Sequence, residues 1–323
     1  MSAAPFDPAS ITPAVVARLI TEQFPAWGDL PVRPVETPGH DNRTFHLGDA
    51  LLVRLPSGPG YAPQIAREQA WLPSLAERVR LPISVPVAHG RASRAYPFDF
   101  TVTRYLPGEP ATREGVADLR RFARDLAAFL REWQAIDALG GPRPSADNCY
   151  RGAPLTVYDA ETRRALADLA DDLDAWDQTP AHAPGELRGR AWLEHLWDEA
   201  LASPWTRTGV WVHGDIAPGN LLVRDGVLCG VIDFGCLAVG DPACDYAIAW
   251  TFLDAPARRV FAAELALDAA SLARGRAWAL WKALITYRSE EPGRAGNARV
   301  VLAEILRERD AIRRTAPDGG AVN

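Results

Sequence analysis

A chain of 323 residues, 48% hydrophobic and 24% charged, can bury one large or two ordinary cores, which excludes a disordered or fibrous protein. A formal net charge of −6 offers no basic surface to a phosphate backbone, and no apolar run approaches the roughly 18 residues of a membrane span. Neither nucleic acid nor membrane is therefore expected as a partner.

Residues 1–106 read as mixed strand and helix. A helix is expected over 12–24, short β-runs over 44–47, 51–55 and 98–105, and a second helix over 64–79. After the Pro107-Gly108 pair the character changes. Val116, Leu119, Phe122, Leu126, Phe129, Leu130, Trp133 and Ile136 recur at helical spacing, with Arg120, Arg121, Arg124 and Arg131 on other faces. This opens a second, mostly helical lobe, 107–323, with helices expected over 161–176, 191–202, 241–252, 271–287 and 297–313. Loop-like stretches at 140–154 and 179–189 are placed to border a cleft. The series Asp168, Asp171, Asp172, Asp174 and Asp177 reads first as a solvated acidic face, attraction of a cationic substrate being the alternative. Trp176, Trp192, Trp197 and Trp205 read as core residues before pocket walls. Cys149, Cys229, Cys236 and Cys244 contain no C-x-x-C pair, and no signal-like segment opens the chain. Packing thiols in a cytoplasmic protein are expected, rather than a zinc site built with His213.

The chemistry is concentrated in 210–247. An apolar run leads into His213-Gly214-Asp215, and Asn220 follows five residues after the aspartate. Asp225-Gly226 is the favoured two-residue turn of a hairpin, so pairing Arg224 with Val227 places Asn220 near Val231 and brings Asn220 and Asp233 to one open end. Hard oxygen donors gathered there suit Mg²⁺, which completes its octahedron with water and substrate phosphates. The spacing H-x-D-x-x-x-x-N, followed by Asp233-Phe234-Gly235, matches the kinase template. In that template Asp215 handles the acceptor proton, and Asn220 and Asp233 hold metal. His213 reads as a brace for this loop rather than a catalytic base, Asp241 before Pro242 as a helix cap, and Asp245 is ambiguous, an internal hydrogen-bond anchor near the loop being the reading it suggests.

These residues, with Gly240-Asp241-Pro242, resemble the aminoglycoside phosphotransferase family, which includes macrolide phosphotransferases. Glycine after the histidine, where protein kinases usually carry arginine, argues against a protein substrate. The resemblance implies an α+β, protein-kinase-like two-lobed fold, with a small β-rich N-lobe for ATP or GTP and a larger, mostly helical C-lobe. It also implies transfer of the γ-phosphoryl group to a small-molecule hydroxyl, such as one on an aminoglycoside or macrolide. Arg54 would take the place of the strand lysine that contacts phosphates, with Glu68 as its ion-pair partner. Gly39 and Asn42 would lie in the loop over the phosphates, and Arg104 and Leu106 would bound the hinge that receives the base. Two other readings of the same residues stand beside this one: a catalytically silent nucleotide-binding module and a metal-dependent hydrolase. The oligomeric state is not legible.

Overall fold

The computed structural model describes residues 6–36, 39, 41–176, 187–291 and 293–315. Helix α1 (Pro13–Gln23) begins where the Thr12 hydroxyl accepts the Val15 N–H and proline fills the first helical position. It lays Val16, Leu19 and Ile20 on a five-stranded antiparallel sheet. The strands are β1 (Val32–Pro34), β2 (Asn42–Leu47), β3 (Leu51–Pro56), β4 (Pro86–Gly90) and β5 (Phe100–Arg104), in the order β1-β2-β3-β5-β4. Phe45, Val53, Leu55, Phe100 and Val102 complete this first core. Strands β1 and β4 lie outside the sequence expectation: one is three residues long, and the other opens on proline and carries a bulge between Pro86 and Ala88.

Helix α2 (Ala62–Ala76) belongs to both halves. Its Glu68 faces β3, whereas Leu72 and Leu75 join the larger second core. The halves also share backbone: the Ser84 N–H donates to the Val231 carbonyl, and the Val231 N–H donates to that of Pro82.

The second core is organised by α3 (Leu119–Gln134). The Asp118 carboxylate caps its start by accepting the N–H groups of Arg120 and Arg121, and Phe122, Leu126, Phe129, Leu130 and Trp133 are buried along one face. Strands β6 (Glu109–Pro110), β7 (Val210–Val212), β8 (Leu221–Arg224), β9 (Val227–Val231) and β10 (Ala238–Gly240) form two small sheets, β6-β8-β9 and β10-β7. The expected helix over 161–176 is interrupted. It forms α4 (Asp159–Asp168) and α5 (Ala170–Trp176), because the Leu169 backbone leaves helical geometry while its N–H still reaches the Ala165 carbonyl. Helix α6 (Gly189–Leu201) follows. The single helix expected over 241–252 is two short ones, α7 (Ala243–Tyr246) and α8 (Ile248–Thr251). Helix α9 (Ala255–Glu264) was not expected, although Asp254 caps it and proline stands in its first turn. Helices α10 (Ala269–Thr286) and α11 (Arg294–Thr315) close the lobe. Among the described residues no helix is long and apolar enough to cross a membrane, and all four cysteines are free thiols.

Candidate active site

Strand β7 is buried and ends directly on His213, so the loop that follows starts from a fixed point. The Asp245 carboxylate accepts the N–H groups of His213 and Gly214, each at 2.8 Å, and so fastens both loop residues to α7. Burial pushes the Asp245 carboxyl up to about 7 against the pull of those two donors. The His213 ring is fully buried and engaged at both nitrogens. Nε2 lies 3.0 Å from the Ile232 carbonyl, which makes it the donor, and Nδ1 accepts the Asp215 N–H at 3.2 Å. Burial lowers its pKa, so the ring is a neutral brace. Gly214 sits at φ +87°, and a Cβ there would lie 2.4 Å from the Cys236 carbonyl oxygen. Any larger residue at the position after the histidine would force that carbonyl or the loop to shift.

Asp215 is held at both carboxylate oxygens. Lys282 Nζ, from α10, is 2.9 Å from Oδ1, and Asn220 Nδ2 donates to Oδ2 at 3.2 Å and to the Asp215 carbonyl at 2.9 Å. Burial alone would raise the Asp215 pKa. The Lys282 ammonium, then the Arg151 guanidinium, outweigh that and hold it at about 2.

The hairpin forms on the expected turn, with Asp225 and Gly226 both at positive φ and Arg224 opposite Val227. A bulge then shifts the register. Leu221 rather than Asn220 pairs with Val231, and Asn220 receives the Ile232 N–H on its carbonyl. The correction brings Asn220 one residue closer to Asp233. Asp233 itself has φ +64°, a conformation costly for a residue other than glycine. Phe234 beside it is buried between Trp133 and His213, with ring centroids 5.1 and 4.4 Å away.

On the sheet side, Arg54 of β3 donates from Nη1 to Glu68 Oε2 at 2.7 Å and from Nη2 to Asp233 Oδ1 at 3.0 Å. Arg54 and Glu68 are both buried. Burial raises the Glu68 pKa, an effect that Arg54 opposes. Asn42 opens β2 opposite Pro56, and its Oδ1 is buried without a hydrogen-bond partner. Gly39 is exposed, its carbonyl 3.4 Å from Arg43 Nη1, and neighbouring His40 lies outside the described residues. Gln64 of α2 donates to Asp41 and packs on Gly235, which ties this loop to the Asp-Phe-Gly segment. Arg104 ends β5 opposite Leu51 with its side chain exposed, and Leu106 is half-buried beside Gly230.

Two linked sets, Arg54–Glu68–Asp233 and Lys282–Asp215–Asn220, thus meet at the hairpin end, where the Ile232 N–H donates to the Asn220 carbonyl. Lys282 was not anticipated from sequence, yet a signal existed: it is the only lysine in the chain. The donors suit Mg²⁺. Asp233 offers a carboxylate that is 39% exposed, and Asn220 commits its amide nitrogen to Asp215, which leaves the amide oxygen as the end available to a cation.

Beside Asp215 opens a cavity of about 610 Å³, walled by Trp278, Trp281, Phe252 and Val301 together with Arg113 and Arg151. Three of the four tryptophans singled out from sequence lie elsewhere. Trp197 is buried with its indole N–H on Asp159, Trp205 packs against Arg207 and Arg274, Trp192 packs on the main core, and the side chain of Trp176 lies outside the described residues.

A model of the phosphotransferase enzyme family matches residues 32–284. The chain belongs to this family. Curated relatives in this family include the aminoglycoside 3'-phosphotransferases of Escherichia coli and Salmonella typhimurium. Each is 28% identical over 154 residues, a match covering 47% of this chain and 49% of the relative, so the chain spans about half the length of the curated relatives it matches. The phosphotransferase fold extends further. The GDP complex of wild-type aminoglycoside 2'-phosphotransferase-IIIa superposes with a TM-score of 0.67 at 19% identity, covering 92% of this chain and 99% of that one. The macrolide 2'-phosphotransferase of Brachybacterium faecium gives 0.55 at 21% identity, covering 90% and 97%. The α+β kinase-like fold is thereby established, with its antiparallel sheet in the N-terminal part and its helices in the C-terminal part.

Proposed function

We propose that this chain transfers the γ-phosphoryl group of ATP or GTP to a hydroxyl of a small molecule. Residues 1–106 hold the nucleotide, and residues 107–323 supply catalysis and the acceptor pocket. The observation that carries this reading is an ionised Asp215, fixed at both oxygens and opening onto a cavity large enough for a small molecule. Relatives and structural neighbours whose names include aminoglycoside and macrolide phosphotransferases support the reaction class. Complexes of neighbours with GDP and ATP support the donor.

Asp215 orients the acceptor hydroxyl and takes its proton as the new P–O bond forms. A carboxylate with so low a pKa is a weak base. That suits a loose transition state in which positioning matters more than early proton removal. Asn220 and Asp233 would hold Mg²⁺, which supplies charge neutralisation on the transferred phosphoryl group. Arg54 anchors Glu68 with one end of its planar fork and Asp233 with the other, and would turn the second end to the phosphates, in place of a lysine point charge, when Asp233 takes up metal. Gly39, before β2, and Asn42, at its start, would cover the phosphates, and the backbone between Arg104 and Leu106 would receive the base. We place the enzyme in the cytoplasm, where its four thiols would stay reduced.

Two substitutions separate the roles. Asp215→Ala is expected to abolish turnover and leave Mg·ATP affinity within a few-fold, whereas Asp233→Ala is expected to weaken Mg·ATP binding itself. Calorimetry with Mg·ATP, beside nucleoside-diphosphate release in the presence of mixed hydroxylated acceptors, makes the comparison. An equal loss of nucleotide affinity in both variants would reject the assignment.

A further inference from the structure

The cavity beside Asp215 carries an unusual charge balance for a site whose relatives include aminoglycoside enzymes. Four cationic side chains line it, Arg113, Arg151, Lys282 and Arg294, against one carboxylate among the described residues, Asp215. That carboxylate is already paired with Lys282 at 2.9 Å. Arg294 is likewise paired, with Glu291 at 2.8 Å, and Glu161 accepts the Trp281 indole N–H, which leaves Arg113 and Arg151 as the lining cations without an ion pair among the described residues.

Arg151 is the telling member. Its guanidinium lies over Trp278 and Trp281, with its central carbon 5.3 and 5.1 Å from the ring centroids. Stacking uses the face of the guanidinium and leaves its N–H edges for acceptors. No acceptor is supplied. Nε is buried without a hydrogen-bond partner, and the side chain makes no ion pair among the described residues. Its charge already acts on Asp215, but the guanidinium has no side-chain hydrogen-bond partner or ion pair among the described residues, and a partly buried cation so placed on the wall of a substrate cavity is suited to receive an anion. Arg113 stands over Phe252, whose ring lines the same cavity, 5.9 Å from its centroid, and adds a second positive charge with no ion pair among the described residues.

We infer that the acceptor is an anionic alcohol, a small molecule that presents a hydroxyl to Asp215 and a carboxylate or phosphate to Arg151. This rests on the phosphotransferase reading and deepens it. The bond between the γ-phosphorus and the bridging oxygen breaks, ADP leaves with that electron pair, the acceptor oxygen forms the new P–O bond, and its proton passes to Asp215. A polyammonium acceptor such as an aminoglycoside would bring further positive charge to a wall already cationic, which disfavours it.

The test uses three pools with Mg·ATP and the full chain: hydroxy acids with sugar phosphates, neutral sugars with polyols, and amino sugars with aminoglycosides. Mass spectrometry reads phosphorylated products. Phosphorylation confined to the first pool is expected, and its individual members then separate carboxylate from phosphate. Arg151→Gln is expected to raise KM for that acceptor by about ten- to a hundredfold, with a smaller change in kcat and partial recovery in Arg151→Lys. Arg113→Gln, at an exposed position, is expected to raise KM less. Phosphorylation of the amino or neutral pool at equal or higher kcat/KM overturns the inference.

A second arm needs no turnover: thermal-shift titration with each pool in the absence of ATP. Stabilisation by the anionic pool that is lost in Arg151→Gln supports the charge preference. No shift from that pool, or a larger one from the amino pool, overturns it. Absence of product from every pool alongside an intact anion-dependent shift would reject phosphoryl transfer and leave the charge preference standing.

Discussion

Asp215 shows how one side chain's chemistry is set by neighbours far away in sequence. Lys282, 67 positions later, is the larger of the two cationic influences that hold its pKa at about 2. The sign is definite. A depressed carboxylate stabilises the folded state above the ordinary carboxylate range near 4, and that contribution is lost as pH falls through about 2. Lys282→Met is therefore expected to raise the Asp215 pKa and move the acid limb of kcat/KM toward higher pH. Lys282→Arg is expected to leave that limb nearly in place, and a pH–rate profile of the three proteins decides. Asp215, Asn220 and Asp233 were legible because their spacing along the chain is itself the signal. Arg151 was not, and Lys282 was marked only by being the sole lysine, because α10 and the 149–153 turn reach the site only through tertiary packing.

At the scale of elements, the hairpin β8–β9 was readable from Asp225-Gly226, and its bulge was not. The turn has a sequence signature, whereas the extra residue, Cys229, turns its thiol to the Pro107 carbonyl 122 positions away. Helix α3 was equally plain, from its apolar spacing. Helices α4 and α5 were merged in the reading because a backbone kink at Leu169 leaves hydrophobic periodicity intact: Leu166, Leu169 and Leu173 are all buried. The loop after β7 depends on Gly214. Gly214→Ala is expected to cost about 1–3 kcal/mol in strain and to push Cys236 away from the catalytic loop. Urea unfolding and steady-state kinetics together test this, with activity expected to fall by more than the unfolded fraction explains.

Across the whole molecule the two lobes are joined by charge as well as by backbone. Arg54 belongs to the sheet and Asp233 to the helical lobe, 179 positions apart, and a single guanidinium grips both Asp233 and Glu68. Removing it strands a buried carboxylate, so Arg54→Ala is expected to destabilise by about 3–5 kcal/mol in urea unfolding. Arg54→Lys is expected to keep Glu68 and release Asp233, seen as faster hydrogen exchange in the Asp233–Gly235 segment. The cationic side of this chain is otherwise written almost entirely in arginine, with one lysine among 35 basic residues. The molecule thus carries a single ε-amine, and that amine touches the carboxylate proposed to receive the acceptor's proton. An amine-selective acylating tag, read by peptide mass so that attachment at the α-amino group is set apart, becomes a reporter of this one side chain without any engineering. Its rate of attachment at the ion-paired Lys282 would rise or fall with whatever enters the cavity, so occupancy can be timed directly on the unaltered protein.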